Sequence, residues 1–114
     1  MCAHGVDAPE RATVPFIAAG VAAASGQQAA VVCSTDAVHF GTPGGVDGVA
    51  VDGMPTLRDL LDQLLAAGGE LWLCSACVGR RGITEADLID GARIVGAAEL
   101  VATIADGAVP ITMT

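Results

Sequence analysis

The chain has 114 residues, the size of one domain, and its 5 basic and 13 acidic residues give a formal net charge of −8. All five basic residues are arginine, tyrosine is absent, and the aromatic side chains are two Phe and one Trp. Such a chain offers no lysine for a Schiff base or a P-loop, little positive charge for nucleic acid or anionic lipid, and few rings for base stacking. We therefore expect no nucleic-acid partner and no membrane partner.

Hydropathy is high: 53% of the residues are apolar and the mean hydropathy is +0.60. We expect part of the apolar surface to be covered in a homo-oligomer. The uncharged stretch at residues 12–35 is long enough to span a bilayer, but Pro15 and the polar residues 25–28 interrupt it. Asp7 and Glu10 do not fit the basic region of an export signal. The sequence thus indicates a cytoplasmic protein whose four cysteines are reduced thiols.

The first helix is expected to begin at residues 7–10. Asp7 or a neighbour would cap it, Pro9 suits its first turn, and Glu10 favours the positive end of its dipole. The helix should reach about Ala24, with Pro15 bending it.

The next part of the chain is rich in glycine and leads to the clearest helix. Residues 29–33 have the length of a buried strand, residues 34–40 suit a turn and a short helix, and residues 41–53 suit a mobile loop. Within that loop, residues 49–51 could add a short strand. Thr56 should cap a helix with one apolar stripe, which a Gly-Gly pair ends. The stripe consists of Leu57, Leu60, Leu61, Leu64 and Leu65.

Apolar runs and helical segments alternate in the second half of the chain. The expected elements are strands at 71–74, 92–95 and 109–113, a loop or helical turn at 75–82, a short turn capped by Thr84, and a helix at 97–105. This alternation predicts β-α-β crossovers and a mostly parallel sheet covered by helices. Because chemistry in such sheets lies just past the carboxyl ends of the strands, Cys74 is well placed for it.

Cys74 and Cys77 form a C-x-x-C at that strand end. The backbone amides that follow the first thiol point at it, and a nearby cation favours its thiolate. Two of the five arginines, Arg80 and Arg81, lie six and seven residues after Cys74. This pattern favours thiol chemistry, with these four residues as the candidate site.

Other interpretations of the cysteines stay open. Buried cysteines often act only as small hydrophobes, as we expect for Cys33, and an Arg-Arg pair can be a solvated loop. A single C-x-x-C supplies two of the four ligands that zinc usually takes, and the other Cys and His residues match no zinc-finger spacing. A thioredoxin-like motif normally opens a long helix, whereas Gly79 and Gly82 follow closely here. Because the zinc ligand set is incomplete, we expect no bound metal.

Three segments of the chain form a specific combination. The first is Pro-Glu-Arg-Ala-Thr at 9–13 with Pro-Phe at 15–16. The second is Leu-Trp-Leu-Cys-Ser-Ala-Cys at 71–77, followed by Arg-Gly-Ile-Thr at 81–84. The third is residues 91–100. Together they resemble the DsrE/DsrF-like (DsrE/TusD) sulfur-relay family, in its C-x-x-C variant. The resemblance covers nearly the whole chain and indicates a single DsrE/DsrF-like domain over residues 1–114.

The resemblance implies a flavodoxin-like α/β fold, a three-layer sandwich with a mostly parallel central sheet and no nucleotide cofactor. It also implies assembly, with trimers, dimers or hexamers found in the family. Family members have a full first strand before the Pro-Glu-Arg-Ala segment, whereas only residues 1–5 precede it here. We expect a truncated first strand, which a translation start upstream of Met1 would explain. Because that strand should lie inside the sheet, each buried backbone group left without a partner would cost about 1–3 kcal/mol.

The leading hypothesis from the resemblance is a sulfur-relay protein, either a sulfur carrier or a sulfurtransferase subunit, that holds sulfane sulfur as a persulfide on Cys74. Its partners would be donor and acceptor proteins or small thiols. Cys77 would resolve the persulfide, and Arg80 or Arg81 would favour the anionic thiolate. One alternative is a thiol redox protein that uses the same pair as dithiol and disulfide. The other is a non-catalytic oligomeric module whose cysteines are structural.

Overall fold

The computed structural model describes residues 1–113, in which helices lie on both sides of an open parallel sheet. This α/β architecture is the one that the alternating apolar and helical segments predict. The helices are α1 (Pro9–Ala24), α2 (Leu57–Ala66), α3 (Ser75–Arg80) and α4 (Ala97–Ala105), with 3₁₀ helices at Thr35–Gly41 and Glu85–Asp87; the strands are β1 (Ala30–Cys33), β2 (Glu70–Cys74) and β3 (Ala92–Val95).

Within residues 1–113 the sheet has three strands in the order β1-β2-β3, all parallel. The amino-terminal residues contribute one isolated parallel bridge to the sheet, between Cys2 and Cys33. Cys2 donates its backbone N–H to the Val32 carbonyl oxygen at 2.8 Å and accepts from the Ser34 N–H at 2.9 Å. The Met1 amino group donates to the Ile111 carbonyl oxygen at 2.9 Å.

Helix α1 has the predicted bounds but not the predicted cap. Pro9 is its first residue and Ala24 its last. The N-cap position belongs to Ala8, the neighbour of Asp7, which has no side-chain oxygen, so the expected side-chain capping bond is not formed. Pro9 needs no N–H partner at the first turn, and its carbonyl oxygen accepts from the buried Thr13 hydroxyl at 2.7 Å.

The two strands predicted at residues 49–51 and 109–113 are wrong, since both segments lie in the described part of the chain and neither joins the sheet. The Val49 N–H donates to Val46, and its carbonyl oxygen accepts from Leu57 at the start of α2, so its backbone bonds serve turns. Val109 and Ile111 are 84% and 56% exposed. Their sequence suits a strand, but a strand needs a neighbouring ladder, and the truncated amino-terminal strand does not provide one.

The core fills the face of the sheet that α2 covers. Thr56 caps α2 as predicted, its hydroxyl oxygen accepting from the Asp59 N–H at 3.2 Å, and the leucine stripe faces inward. Phe16 of α1 meets Phe40 edge to face, with ring centroids 6.1 Å apart. Fully buried Leu73 of β2 completes this layer.

The other face of the sheet is more open. Every residue of α4 is exposed or half-buried, and a cavity of about 850 Å³ separates this helix from α1. Trp72 of β2 lines the cavity, and the Arg93 guanidinium lies 4.5 Å from the centre of its ring. Among the described residues, no helix is long and apolar enough to cross a bilayer.

Candidate functional site

The candidate site lies where β1 and β2 end, at the same edge of the sheet. β2 ends at Cys74, and α3 begins at the next residue, so Cys74 occupies the N-cap position of this helix. Cys77 lies in the first turn of α3, and both thiols are half-buried. The segment predicted as a loop or helical turn is therefore a short helix that holds both cysteines at the carboxyl end of a buried strand.

Cys74 is held in surroundings that favour its thiolate. A hydrogen bond from the Cys77 thiol lowers the pKa of Cys74, and the backbone N–H groups of Cys77 and Ala76 lower it further. Partial burial acts in the opposite direction and is outweighed. The N–H groups in the first turn of a helix have no intrahelical partner and carry partial positive charge, which favours an anionic thiolate at the N-cap. These hydrogen bonds favour the thiolate form of Cys74.

Cys77 receives a hydrogen bond from a second element. The backbone N–H of Thr35, the residue that starts the 3₁₀ helix after β1, donates to Cys77 Sγ at 3.1 Å. Thr35 has a φ of 51°, a left-handed conformation that a β-branched residue rarely adopts. Its hydroxyl contacts the carbonyl oxygens of Ala3 and Ser34. The strained residue thus joins the amino-terminal segment to the second thiol of the motif.

The two arginines predicted for the site occupy different positions. Arg81 donates through Nη1 to the Cys77 carbonyl oxygen at 3.1 Å and pairs through Nη2 with Asp36 at 2.7 Å. The Arg81 guanidinium holds the pKa of Asp36 below its usual value. Arg81 therefore ties the end of α3 to the 3₁₀ helix. Arg80, the last residue of α3, is exposed.

Thr35 and Asp36 belong to this arrangement, and sequence reasoning missed both. Their signal was the Ser-Thr-Asp sequence directly after the predicted strand at 29–33. The rule that pointed to Cys74, that chemistry follows the carboxyl ends of parallel strands, applies equally to β1.

The chemistry available here is that of thiols. Cys74 and Cys77 are two half-buried thiols three residues apart at the start of α3, the spacing of a C-x-x-C dithiol. Each of the four cysteines, all within the described residues, is a free thiol. Across residues 1–113, no three His, Cys, Asp or Glu side chains gather closely enough to hold a metal ion.

Comparison with known proteins agrees with the fold and with the resemblance. The model of the DsrE/DsrF-like family matches residues 1–113. The crystal structure of the YchN protein from E. coli is 25% identical and superposes with a TM-score of 0.57, covering 80% of this chain and 75% of that one. No curated protein matches this chain significantly.

Proposed function

This chain belongs to the DsrE/DsrF-like family, and we propose that it works in sulfur relay as a single domain, carrying sulfane sulfur as a persulfide on Cys74. The observation that carries the proposal is the half-buried Cys74 thiol at the N-cap of α3, where the Cys77 thiol and two backbone N–H groups lower its pKa. Family membership supports the sulfur-relay role, and the position of Cys74 supports its choice as the carrier.

Loading is a transfer of sulfur with no net oxidation. The Cys74 thiolate attacks the outer sulfur of a donor persulfide, R–S–SH. A bond forms between Cys74 Sγ and that sulfur, the S–S bond of the donor breaks, and its electron pair leaves with the donor thiolate. The proton stays on the transferred sulfur. Delivery repeats the same step, as the thiolate of an acceptor protein or small thiol attacks the outer sulfur and restores the Cys74 thiolate.

The persulfide on Cys74 can also react with Cys77. The Cys77 thiolate attacks Cys74 Sγ, forms a Cys74–Cys77 disulfide and expels the outer sulfur as HS⁻. The two thiols are oxidised, the sulfane sulfur is reduced to sulfide, and a small thiol must then reduce the disulfide. The Thr35 N–H stabilises negative charge on the Cys77 sulfur, since it donates to that atom.

The arginines act differently in this proposal. Arg81 is a positioning residue, because its bonds to Asp36 and to the Cys77 carbonyl oxygen hold the first turn of α3 in place. Arg80 is exposed at the end of the same helix and adds positive charge near an approaching anionic persulfide.

Variants of the two cysteines test the proposal. After incubation with polysulfide, Cys74→Ser should take up no reducible sulfur, whereas Cys77→Ser should load and keep its persulfide longer than the unmodified chain. Intact mass with and without dithiothreitol measures both properties, and circular dichroism checks that each variant is folded. Unchanged loading of Cys74→Ser would refute the choice of carrier. A shorter lifetime in Cys77→Ser would refute resolution by Cys77.

A dithiol–disulfide redox protein is the second candidate, favoured by the hydrogen bond between the two thiols. It predicts a measurable dithiol–disulfide potential for the Cys74–Cys77 pair in a chain that gains no sulfur from polysulfide. Persulfide on Cys74 would contradict it.

We also propose that the chain acts as a homo-oligomer in the cytoplasm. Helix α4 supports assembly, since it presents Val101 at 64% exposure beside the open cavity. Reduced thiols suit that compartment. Light scattering after size exclusion should give a multiple of the 11.3 kDa chain mass, and a monomer would contradict assembly. An oligomer whose native Cys74 and Cys77 resist alkylation would favour the non-catalytic module.

A further inference from the structure

A second pair of cysteines lies outside the C-x-x-C site. Cys2 pairs directly with Cys33 of β1 in an isolated parallel bridge, flanked by two backbone hydrogen bonds of 2.8 and 2.9 Å. Their side chains are 1% and 0% exposed and belong to the same core cluster. Neither thiol takes part in the chemistry proposed for Cys74.

The pairing suits a disulfide. Adjacent strands run about 4.7–4.9 Å apart, and bridged cysteines have Cα atoms about 4.4–6.8 Å apart. Residues paired in parallel register project to the same face of a sheet, so the two Cβ atoms lie on the same side. A hydrogen bond between the two free thiols lowers the pKa of Cys2. The same hydrogen bond, together with burial, raises the pKa of Cys33. The direct pairing on one face of the sheet makes the two side chains neighbours, and the lowered pKa favours the thiolate of Cys2.

We propose that Cys2 and Cys33 are a buried dithiol that low-molecular-weight disulfides, RSSR, oxidise to a cross-strand disulfide. Opening of the amino-terminal segment exposes Cys2. It breaks backbone bonds to Val32 and Ser34, the bond from Met1 to Ile111, the bond from Thr35 to Ala3, and the bond from the Cys2 thiol to the Ala12 carbonyl oxygen. The Cys2 thiolate attacks RSSR to give Cys2–S–SR and releases RS⁻. When the segment closes, the Cys33 thiolate attacks Cys2 Sγ, and the second RS⁻ leaves. Both cysteines are oxidised, RSSR is reduced to two RSH, and the two protons end on those thiols.

The disulfide would fix the amino-terminal segment to β1 by a covalent bond. That segment contacts the C-x-x-C site through Thr35, whose hydroxyl meets the Ala3 carbonyl oxygen while its N–H donates to Cys77 Sγ. Oxidation therefore removes the opening motion of a segment next to the second thiol. The inference rests on the Cys2–Cys33 pairing and stands independently of sulfur relay.

The test uses the full chain carrying Cys74→Ser and Cys77→Ser, so that Cys2 and Cys33 are the remaining thiols. The folded protein is incubated with glutathione disulfide, denatured in iodoacetamide and digested with trypsin. Cleavage after Arg11 and Arg58 places Cys2 in peptide 1–11 and Cys33 in peptide 12–58. We expect the two peptides to be disulfide-linked until dithiothreitol is added, and the oxidised protein to have a higher Tm. Peptides alkylated at both cysteines, or glutathione on Cys2 beside alkylated Cys33, would overturn the proposal.

Two matched controls separate bridging from general oxidation. The controls are Cys33→Ala and Cys2→Ser in the same background, and neither can form the bridge. Circular dichroism checks that each variant is folded. Glutathione disulfide should leave the Tm of either variant unchanged. The same rise in Tm in a folded control would overturn the assignment of the rise to the Cys2–Cys33 bond.

Discussion

Gly41 and Leu73 form a contact that supports the strand bearing Cys74. Gly41 is buried at the end of the 3₁₀ helix, and Leu73 is the fully buried residue before Cys74. A methyl group at position 41 would overlap Leu73 Cδ1 and would lie 3.0 Å from Cδ2 and 3.1 Å from Cγ. The three heavy atoms nearest to such a methyl group all belong to Leu73. Gly41→Ala should therefore overpack the core through this one side chain.

The magnitudes follow from these contacts. Overpacking by Gly41→Ala should lower the free energy of unfolding by about 1–3 kcal/mol. Leu73→Ala removes a fully buried side chain and should cost about 2–5 kcal/mol. In the Leu73→Ala background the atoms that the new methyl group would meet are gone, so Gly41→Ala should cost close to nothing there. The coupling energy between the two substitutions should then be about 1–3 kcal/mol, in the range found for contacting residues.

Urea unfolding of the four proteins, followed by circular dichroism, measures this cycle. The m-values should agree, so that differences in midpoint report stability. Gly20→Ala is the control, because outside its own helix no heavy atom of residues 1–113 lies within 4 Å of a Cβ placed there. This substitution should stabilise α1 by about 0.5–1 kcal/mol in both backgrounds. An equal cost of Gly41→Ala with and without the Leu73 side chain would refute the packing described here.

Three further predictions concern single groups. Cys77→Ala should shift the pH profile of Cys74 alkylation to higher pH, because it removes the thiol that most lowers the pKa of Cys74; an unchanged profile would contradict that cause. The pKa of Glu70 is lowered by hydrogen bonds, chiefly from Trp72 and then from Arg93. The ionised Glu70 side chain therefore stabilises the folded chain above its ordinary pKa of 4.5, and this contribution is lost as pH falls through the lowered pKa. Acid unfolding of Glu70→Gln should therefore be less steep below pH 4.5 than that of the unmodified chain, and identical curves would exclude this role. Thr56→Ala should cost about 1 kcal/mol in urea unfolding, through loss of the α2 cap, and a cost of zero would contradict the capping bond.

Local signals in the sequence were enough to locate most helices. The start of α1 follows from Pro9 in its first turn, and the start of α2 follows from the Thr56 cap and the apolar periodicity; these signals act over one or two helical turns. The strands predicted at residues 49–51 and 109–113 have suitable composition but are not strands, because strand formation depends on a neighbour distant in sequence.

Local signals in the sequence also located part of the candidate site. The position of Cys74 at a strand end follows from the length of one apolar run and the rule for parallel sheets. The left-handed backbone of Thr35 and the pairing of Asp36 with Arg81 depend on how β1 and α3 meet. Neither feature has a sequence pattern of its own, so the site predicted from the sequence contained both thiols and Arg81 but lacked Thr35 and Asp36.

The most direct test of the central claim is to identify the cysteine that takes up sulfur from polysulfide. The unmodified chain is incubated with polysulfide, freed of excess reagent, alkylated and digested, and its peptides are weighed before and after dithiothreitol. We predict a gain of one sulfur that dithiothreitol removes, located on Cys74, and its appearance on an added small thiol when that thiol is offered before alkylation. A folded chain that gains no sulfur, or that gains it on a cysteine other than Cys74, would contradict the account.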